Sequence, residues 1–471
     1  MNYDSKYAWI YFLLSAFVTF LILLLLFLTM QVVVYDQRKI ILKDAQELLQ
    51  FIKPKTQFIT NYYGHQWNYI GDAKYGHQIY SAYFDPRTEL YNNKDYNEEF
   101  NYYGAIRIMA FLPIKLRNGL TCIIKSESNN TYEIKASEIR RFHKYEDIEG
   151  DFAFYMIMCP LFINAKATIV KLPAYVALTY MENPSSVTSP TFILINFSKN
   201  RILDKPRDSL AICVGSTGLN HNYTNTLNFI EFIELYKLLG AEKFYFYHFN
   251  ASHNMIQALN YYLREGVIKI NNWNFNIEQY EPKTIHITNI AAQNFDCIYR
   301  TYLDGFKYTA IVDIDEIIIP FEYNNLTDFI NAKDEGRSSA FIFRKVLFYK
   351  KRPSDYFNVP PNIKNKNLLT QIKIQKTETP LPQGKNSKYI AKGDALIEAG
   401  INGIWKSTEG HTETHVKSDE ALIFNYRTSC IGNTCGANTV TDFTLRRFGS
   451  LIWYNVENIC KIIFLNGICA L

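Results

Sequence analysis

The feature that most constrains this chain is an alternation of apolar β-type runs and helical runs, which begins after Lys205-Pro206 and ends on a cluster of acids. Residues 210–214 read as a strand, 227–239 as a helix stopped by Gly240, and 243–249 as a second strand. Residues 255–264 read as a helix closed at Gly266, 267–270 as a third strand, and 290–303 as a helix closed at Gly305. Glycine after a helix supplies the left-handed residue that ends it. Strand–helix order of this kind builds a parallel sheet with crossover helices. In the first helix only Glu231, Glu234 and Lys237 form a polar stripe, so most of it is expected to be buried.

The next strand, residues 308–312, stops on Asp313-Ile314-Asp315-Glu316 before Ile317-Ile318-Ile319 and Pro320. On an extended backbone Asp313 and Asp315 share a face and Glu316 points the other way. Two adjacent carboxylates repel, and burying them unpaired costs on the order of several kcal/mol. A hard divalent cation relieves both effects, and Mg²⁺ or Mn²⁺ is commonly held by one or two carboxylates together with substrate phosphates. Parallel sheets bind ligands at the carboxyl ends of their strands, which is where Asp313 and Asp315 fall. A bare D-x-D is most often a solvated turn, so its place in the alternation carries the argument. In the preceding helix Gln293, Asp296, Cys297 and Arg300 share one face. The plain expectation is a solvated face, against which Cys297 argues, because free cysteine is usually buried.

Elsewhere the chain is less explicit. Residues 7–30, opening at Tyr7 and closing at Met30, carry no charge. As a helix they span about 36 Å, enough to cross a hydrocarbon core. They read as a membrane anchor between a short tail (residues 1–6) and a polar stem (31–56). Flanking charge, with Lys6 before the run and Arg38, Lys39 and Lys43 after it, counted alone puts the bulk in the cytoplasm. The N-x-S/T sequons at Asn129, Asn196, Asn222, Asn250 and Asn325 are no more than chance supplies in so asparagine-rich a chain. Residues 57–205 carry short β-type runs at 105–112, 121–125, 132–135, 168–172 and 191–197, a β-rich region in which Cys122 and Cys159 are candidates to pair. After a strand at 340–348, residues 350–385 read as a proline-bearing lid or loop. Order resumes at 388–396 and 421–427, and residues 451–465 read as a segment docked on the domain. A formal net charge of +5 spread through 471 residues gives no nucleic-acid footprint. Eight cysteines are too few for a disulfide scaffold.

Residues 207–447 also carry a distributed pattern: Glu231, Phe232 and Tyr236 with Leu239-Gly240-Ala241; Tyr247; Tyr261-Tyr262; Trp273; Gln293 with Asp296-Cys297; Asp313-Ile314-Asp315-Glu316 with Pro320; Lys388-Tyr389-Ile390; and Tyr426-Arg427. In these residues the chain resembles glycosyltransferase family 92. The resemblance implies a GT-A-like fold over residues 206–447, a C-terminal segment at 448–471, and a type II, single-pass Golgi membrane protein with its catalytic body in the lumen, against the flank charges. It further implies an inverting hexosyltransferase that uses Mn²⁺ or Mg²⁺ to hold a UDP-sugar, UDP-galactose in characterised members, and acts on a glycan or glycoprotein acceptor. By position, Asp315 is the expected direct metal ligand, with Asp313 contacting the ribose or reaching the metal through water, and Lys388 or Lys392 is a candidate phosphate contact. Asn425 stands where the family tends to have the histidine that completes the metal shell, and Asn402 replaces a second histidine. Those replacements raise an alternative, a lumenal glycan-binding protein that keeps the fold without turnover. Asp394, Glu398, Glu409 and Glu413 are the acids from which a general base would come, and the sequence does not choose among them. His411 and His415 are possible stand-ins for the missing histidine. With Cys430 and Cys435 they also have the residue types of a zinc site, although the spacing is loose and a local disulfide between the cysteines is the simpler reading.

Overall fold

The computed structural model describes residues 67–70, 77–87, 100–114, 119–142, 151–164, 173–180, 190–197, 207–215, 225–247, 251–273, 282–352, 354–355, 368–384, 386–428, 438–464 and 469. All of them belong to one compact unit, residues 62–471. The expected anchor at residues 7–30 and the stem lie outside the described residues. Among the described residues no helix is long and apolar enough to cross a membrane.

The alternating region folds as expected into a sheet covered on both faces. Its strands lie in the order Ile268–Asn271, Ala241–Tyr247, Arg207–Val214, Phe306–Val312, Lys388–Lys392, Ser338–Phe343 and Thr412–His415. The first four are mutually parallel. Lys388–Lys392 runs antiparallel to both its neighbours, and Thr412–His415 is parallel to Ser338–Phe343. One strand of the seven is therefore reversed. Leu210, Ile212 and Val214 face a core built with the helices Thr226–Leu238, His253–Arg264 and Gly449–Ile463. The alternate residues Ala211 and Cys213 face a second core with the helix Pro282–Leu303. Burial on both sides is why these strands read as continuous apolar runs. The docked C-terminal segment is the helix Gly449–Ile463, which buries Ile452, Val456 and Ile459.

One expected strand turns out to be a pair of strands in different sheets, and the acidic run makes the same change of sheet. Residues 340–348 divide into Ser338–Phe343, in the seven-stranded sheet, and Lys345–Tyr349, in a second sheet of order Glu316–Pro320, Ala421–Arg427, Lys345–Tyr349, Gln375–Thr377 and Thr439–Thr441. Arg344 sits at the change and donates to the carbonyls of Pro380 and Leu381 and to Ser418 Oγ. The acidic run behaves alike: Phe306–Val312 ends in the first sheet and Glu316–Pro320 begins in the second. Apolar content is equal on both sides of each break, so periodicity gives no sign of it. Part of the expected lid is ordered, as the short helix Leu369–Ile372 and the strand Gln375–Thr377, while residues 356–367 lie outside the described residues.

The β-rich region forms a nine-stranded sheet of its own. Its centre is the antiparallel pair Phe100–Pro113 and Phe152–Asn164. Sequence patterning found the first of these and missed the second, along with Gln78–Asp85 and Pro173–Tyr180. Phe152–Asn164 places Phe154, Met156 and Met158 against the Pro282–Leu303 side and Ala153, Ile157 and Cys159 in the region's own core. A strand apolar on both faces offers no alternation to read. Cys122 and Cys159 do form a disulfide, and the strand expected at 168–172 falls outside the described residues.

Candidate metal and nucleotide site

The acidic stretch is a tight turn. Glu316 N donates to Asp313 O at 3.0 Å, and Asp313 N donates to Glu316 Oε2 at 3.1 Å. The turn rotates the third carboxylate toward the first two, and oxygens of Asp313, Asp315 and Glu316 lie within 4.8 Å of one another. The extended-strand expectation that Glu316 points away is therefore wrong: the backbone leaves one sheet for the other between Asp313 and Glu316. Gly215 flanks the turn at the end of its own strand. A Cβ there would meet Asp313 Oδ1 at 2.7 Å, so any side chain at this position would displace the Asp313 carboxylate. Tyr236, from the first helix, fixes the far side by donating to Glu316 O at 3.0 Å and accepting from Ile318 N at 3.1 Å.

Cations reach the three acids unequally. Glu316 is saturated: Oε1 takes Lys345 Nζ and Asn425 Nδ2 (2.8 Å), and Oε2 takes the Asp313 amide with Lys388 Nζ 3.8 Å away. Burial works against its charge, but Lys345 and Lys388 outweigh it and hold the carboxyl down at about 2. Lys388 Nζ is 3.1 Å from Asp313 Oδ2. Burial opposes the Lys388 charge as well, and Asp313 and Glu316 hold its pKa above the usual lysine value. Asp315 has the weakest compensation. Burial, with the charges of Glu316 and Asp313 added, pushes its carboxyl up to about 6. A small cavity opens beside it, lined by Asn228, Glu231, Lys350, Thr370 and Tyr426. Glu231 accepts there from Leu369 N at 2.8 Å and Thr370 N at 2.9 Å, the amides that open a short helix.

Asn425, expected as the third ligand, is paired in register with Glu316 across the second sheet. It is 1 % exposed, and its amide oxygen has no hydrogen-bond partner. A buried carbonyl-type oxygen left unsatisfied costs about 1–3 kcal/mol. The Asn425 amide nitrogen donates to Glu316 Oε1, which sets the side chain against the acidic turn, and an amide oxygen is the kind of hard oxygen a divalent cation takes. The residues present thus fit the implied cation, with Asp313, Asp315 and Asn425 as donors and Glu316 as the group that holds the turn. Sequence reading named Glu316 but turned it away from the other acids, and it missed Lys345. A lysine between the apolar runs Phe341-Ile342-Phe343 and Val346-Leu347-Phe348 was the available signal, because a buried lysine needs a carboxylate.

The other residues singled out lie elsewhere. The Gln293, Asp296, Cys297 and Arg300 face is not solvated. Cys297 forms a disulfide with Cys213, and Asp296 is fully buried against the β-rich sheet. Asn402 lies in the turn between Leu396–Ala399 and Ile404–Ser407. Among the candidate bases, Glu398 pairs with Arg140 at 2.6 Å, Glu413 accepts from Ile404 N, and Glu409 is exposed. Asp394 lies in the short 3₁₀ turn Gly393–Ala395. His415 ends the edge strand Thr412–His415, three strands over from Phe306–Val312, and His411 bonds Thr408 Oγ1 at 2.9 Å. Neither histidine joins the acidic cluster. Cys430 and Cys435 fall outside the described residues.

A turn of acids at the carboxyl end of a largely parallel sheet, backed by two buried lysines, is equipped to hold a phosphorylated donor. Over residues 208–452 the chain matches glycosyltransferase family 92, and it belongs to that family. No curated protein matches the chain.

Proposed function

We propose that this glycosyltransferase family 92 protein transfers a hexose, galactose from UDP-galactose, to a glycan acceptor with inversion at the anomeric carbon and with the help of Mn²⁺ or Mg²⁺. The observation that carries the reading is the imbalance at the acidic turn: burial and the neighbouring acids outweigh the lysines and push the Asp315 carboxyl up to about 6, and Asn425, bonded to Glu316 Oε1, keeps a buried, unsatisfied amide oxygen. Asp313, Asp315 and Asn425 would hold the metal, which supplies charge neutralisation on the departing nucleoside diphosphate. Lys388 is placed to contact a phosphate oxygen. Glu316 fixes the turn through the Asp313 amide, with Lys345 as its counter-ion. Inversion calls for in-line attack by an acceptor hydroxyl and a base on the side opposite the leaving group.

Our reading places the catalytic body in the Golgi lumen, on a type II anchor at residues 7–30. The disulfides Cys122–Cys159, Cys213–Cys297 and Cys460–Cys469 support an oxidising compartment. The test is release of UDP, and transfer of sugar, from UDP-galactose by the full chain with Mn²⁺ over a panel of glycan acceptors. Turnover that needs the metal and prefers UDP-galactose to UDP-glucose is expected. Absence of turnover with every UDP-hexose, in a preparation that melts cooperatively, would overturn the reading.

A further inference from the structure

The acidic turn is neutralised by two lysines that are held differently. Lys345 lies on an interior strand of the second sheet, is 5 % exposed, and ends on Glu316. Glu316 is itself locked by the Asp313 amide and by Asn425. Lys388 opens the reversed strand of the first sheet and reaches across the junction to Asp313. Asp313 is one of the carboxylates a cation would take, and its side chain is 21 % exposed. So one lysine belongs to the scaffold and the other occupies a ligand oxygen.

Counting unit charges sharpens the contrast. Asp313, Asp315 and Glu316 bring three negative charges, and Lys345 and Lys388 return two, leaving a net of −1. Lys350 and Glu231 line the cavity beside Asp315 and stand outside this count of the turn and its two lysines. A bare divalent cation would turn −1 into +1 in a mostly buried site, exchanging one uncompensated charge for another. A cation arriving with the two charges of a sugar-linked diphosphate is neutral as a pair and leaves the net at −1, where the bare ion changes it by two units. Burial makes these differences count, since buried charges are screened little by solvent or salt.

We propose that Lys388 is an exchangeable counter-ion of the acidic turn: it holds Asp313 in the empty site, disfavours capture of a metal alone, and passes its ammonium to the diphosphate when metal and nucleotide arrive together. Binding of the two ligands is then coupled through one side chain, and the site stays closed to free metal. The inference rests on the metal–nucleotide reading above, and it adds a direction that this reading does not require. The linkage is reciprocal: UDP strengthens metal binding by the same factor by which metal strengthens UDP binding.

The experiment measures Mn²⁺ affinity of the full chain from the free-ion paramagnetic resonance signal, with and without UDP, in wild type, Lys388→Met and Lys388→Arg. In wild type UDP is expected to tighten Mn²⁺ binding by about tenfold or more. In Lys388→Met, Mn²⁺ alone is expected to bind about tenfold tighter than to wild type, while the gain from UDP shrinks toward nothing. Lys388→Arg, which keeps the charge, should stay near wild type. Unchanged or weaker binding of Mn²⁺ alone by Lys388→Met would overturn the proposal while leaving the metal–nucleotide site standing. Wild type that fails to bind Mn²⁺ even with UDP would overturn both. Should Lys388→Met not fold, absence of UDP enhancement in wild type would by itself overturn the coupling.

Discussion

Two carboxylate clusters in this chain are built on opposite terms. Around Asp296 every need is met. Arg300 Nε lies 2.6 Å from Oδ2, Ser81 donates to Oδ1 at 2.6 Å, Tyr247 donates to Oδ2 at 2.7 Å, and Tyr83 donates to Oδ1 as well. Burial opposes ionisation there, yet Arg300 and these hydrogen bonds hold the carboxyl below the usual range. Asp85 repeats the pattern with Arg87 and Arg107. Around the half-buried Asp315 desolvation meets added negative charge, and the carboxyl rises to about 6. The saturated clusters join the β-rich sheet to the α/β layer; the unsaturated one faces a cavity. A buried acid supplied with all its partners is structure, and a buried acid left short of them is a place for a ligand.

The contrast can be broken most severely by removing Asp315. Asp315→Ala is expected to lower turnover by at least about a hundredfold, as loss of a transition-state electrostatic group does, without lowering the melting temperature. Equal loss of stability would put Asp315 in the Asp296 class. Conversely, Asp296→Ala leaves Arg300 buried without its partner and should destabilise the fold by about 3–5 kcal/mol in urea titrations. Replacing both cysteines of the Cys213–Cys297 bridge by alanine should cost about 2–4 kcal/mol, read by the same titration.

The smallest expected effects are in pH, and their signs oppose. Asp85 and Asp296 have carboxyls depressed by folding, so their stabilisation is present above the ordinary carboxylate pKa near 4 and is lost as pH falls below it. Asp315 has a raised carboxyl, so it favours the fold only while protonated, and stability declines as pH rises from about 4 toward about 6. In a chelated sample, Asp315→Asn should therefore stabilise by about 1–2 kcal/mol at pH 8 and by much less at pH 4. Asp85→Asn should flatten the acid limb between pH 5 and 3, on the order of a pKa shift's worth of slope. A urea midpoint series across pH checks both, and matching signs for the two variants would remove the distinction between the clusters.

Much of the fold was legible because its signal is local. Alternating strand and helix runs closed by Gly240, Gly266 and Gly305 specify a covered parallel sheet, and all three glycines do adopt positive φ. The acids at the strand end were legible for the same reason, since a charged cluster terminating a buried run is visible in a window of a few residues. Asn425 was reached only through the family pattern, because it lies more than a hundred residues away in sequence and meets Glu316 through strand pairing alone.

What the sequence by itself determined is therefore where the acidic cluster falls: Asp313 and Asp315 at the carboxyl end of the Phe306–Val312 strand. What only the tertiary structure decided is how those charges are divided. The turn from one sheet into the next swings Glu316 inward, Lys345 reaches it from two strands away to neutralise it, and the Gln293–Arg300 face, polar by composition, is covered by the nine-stranded β-rich sheet. The physical reason is that a charge's role depends on its surroundings in space. Asp296 and Asp315 are the same residue type, and only packing determines which is given its counter-ion and which is left to bind one.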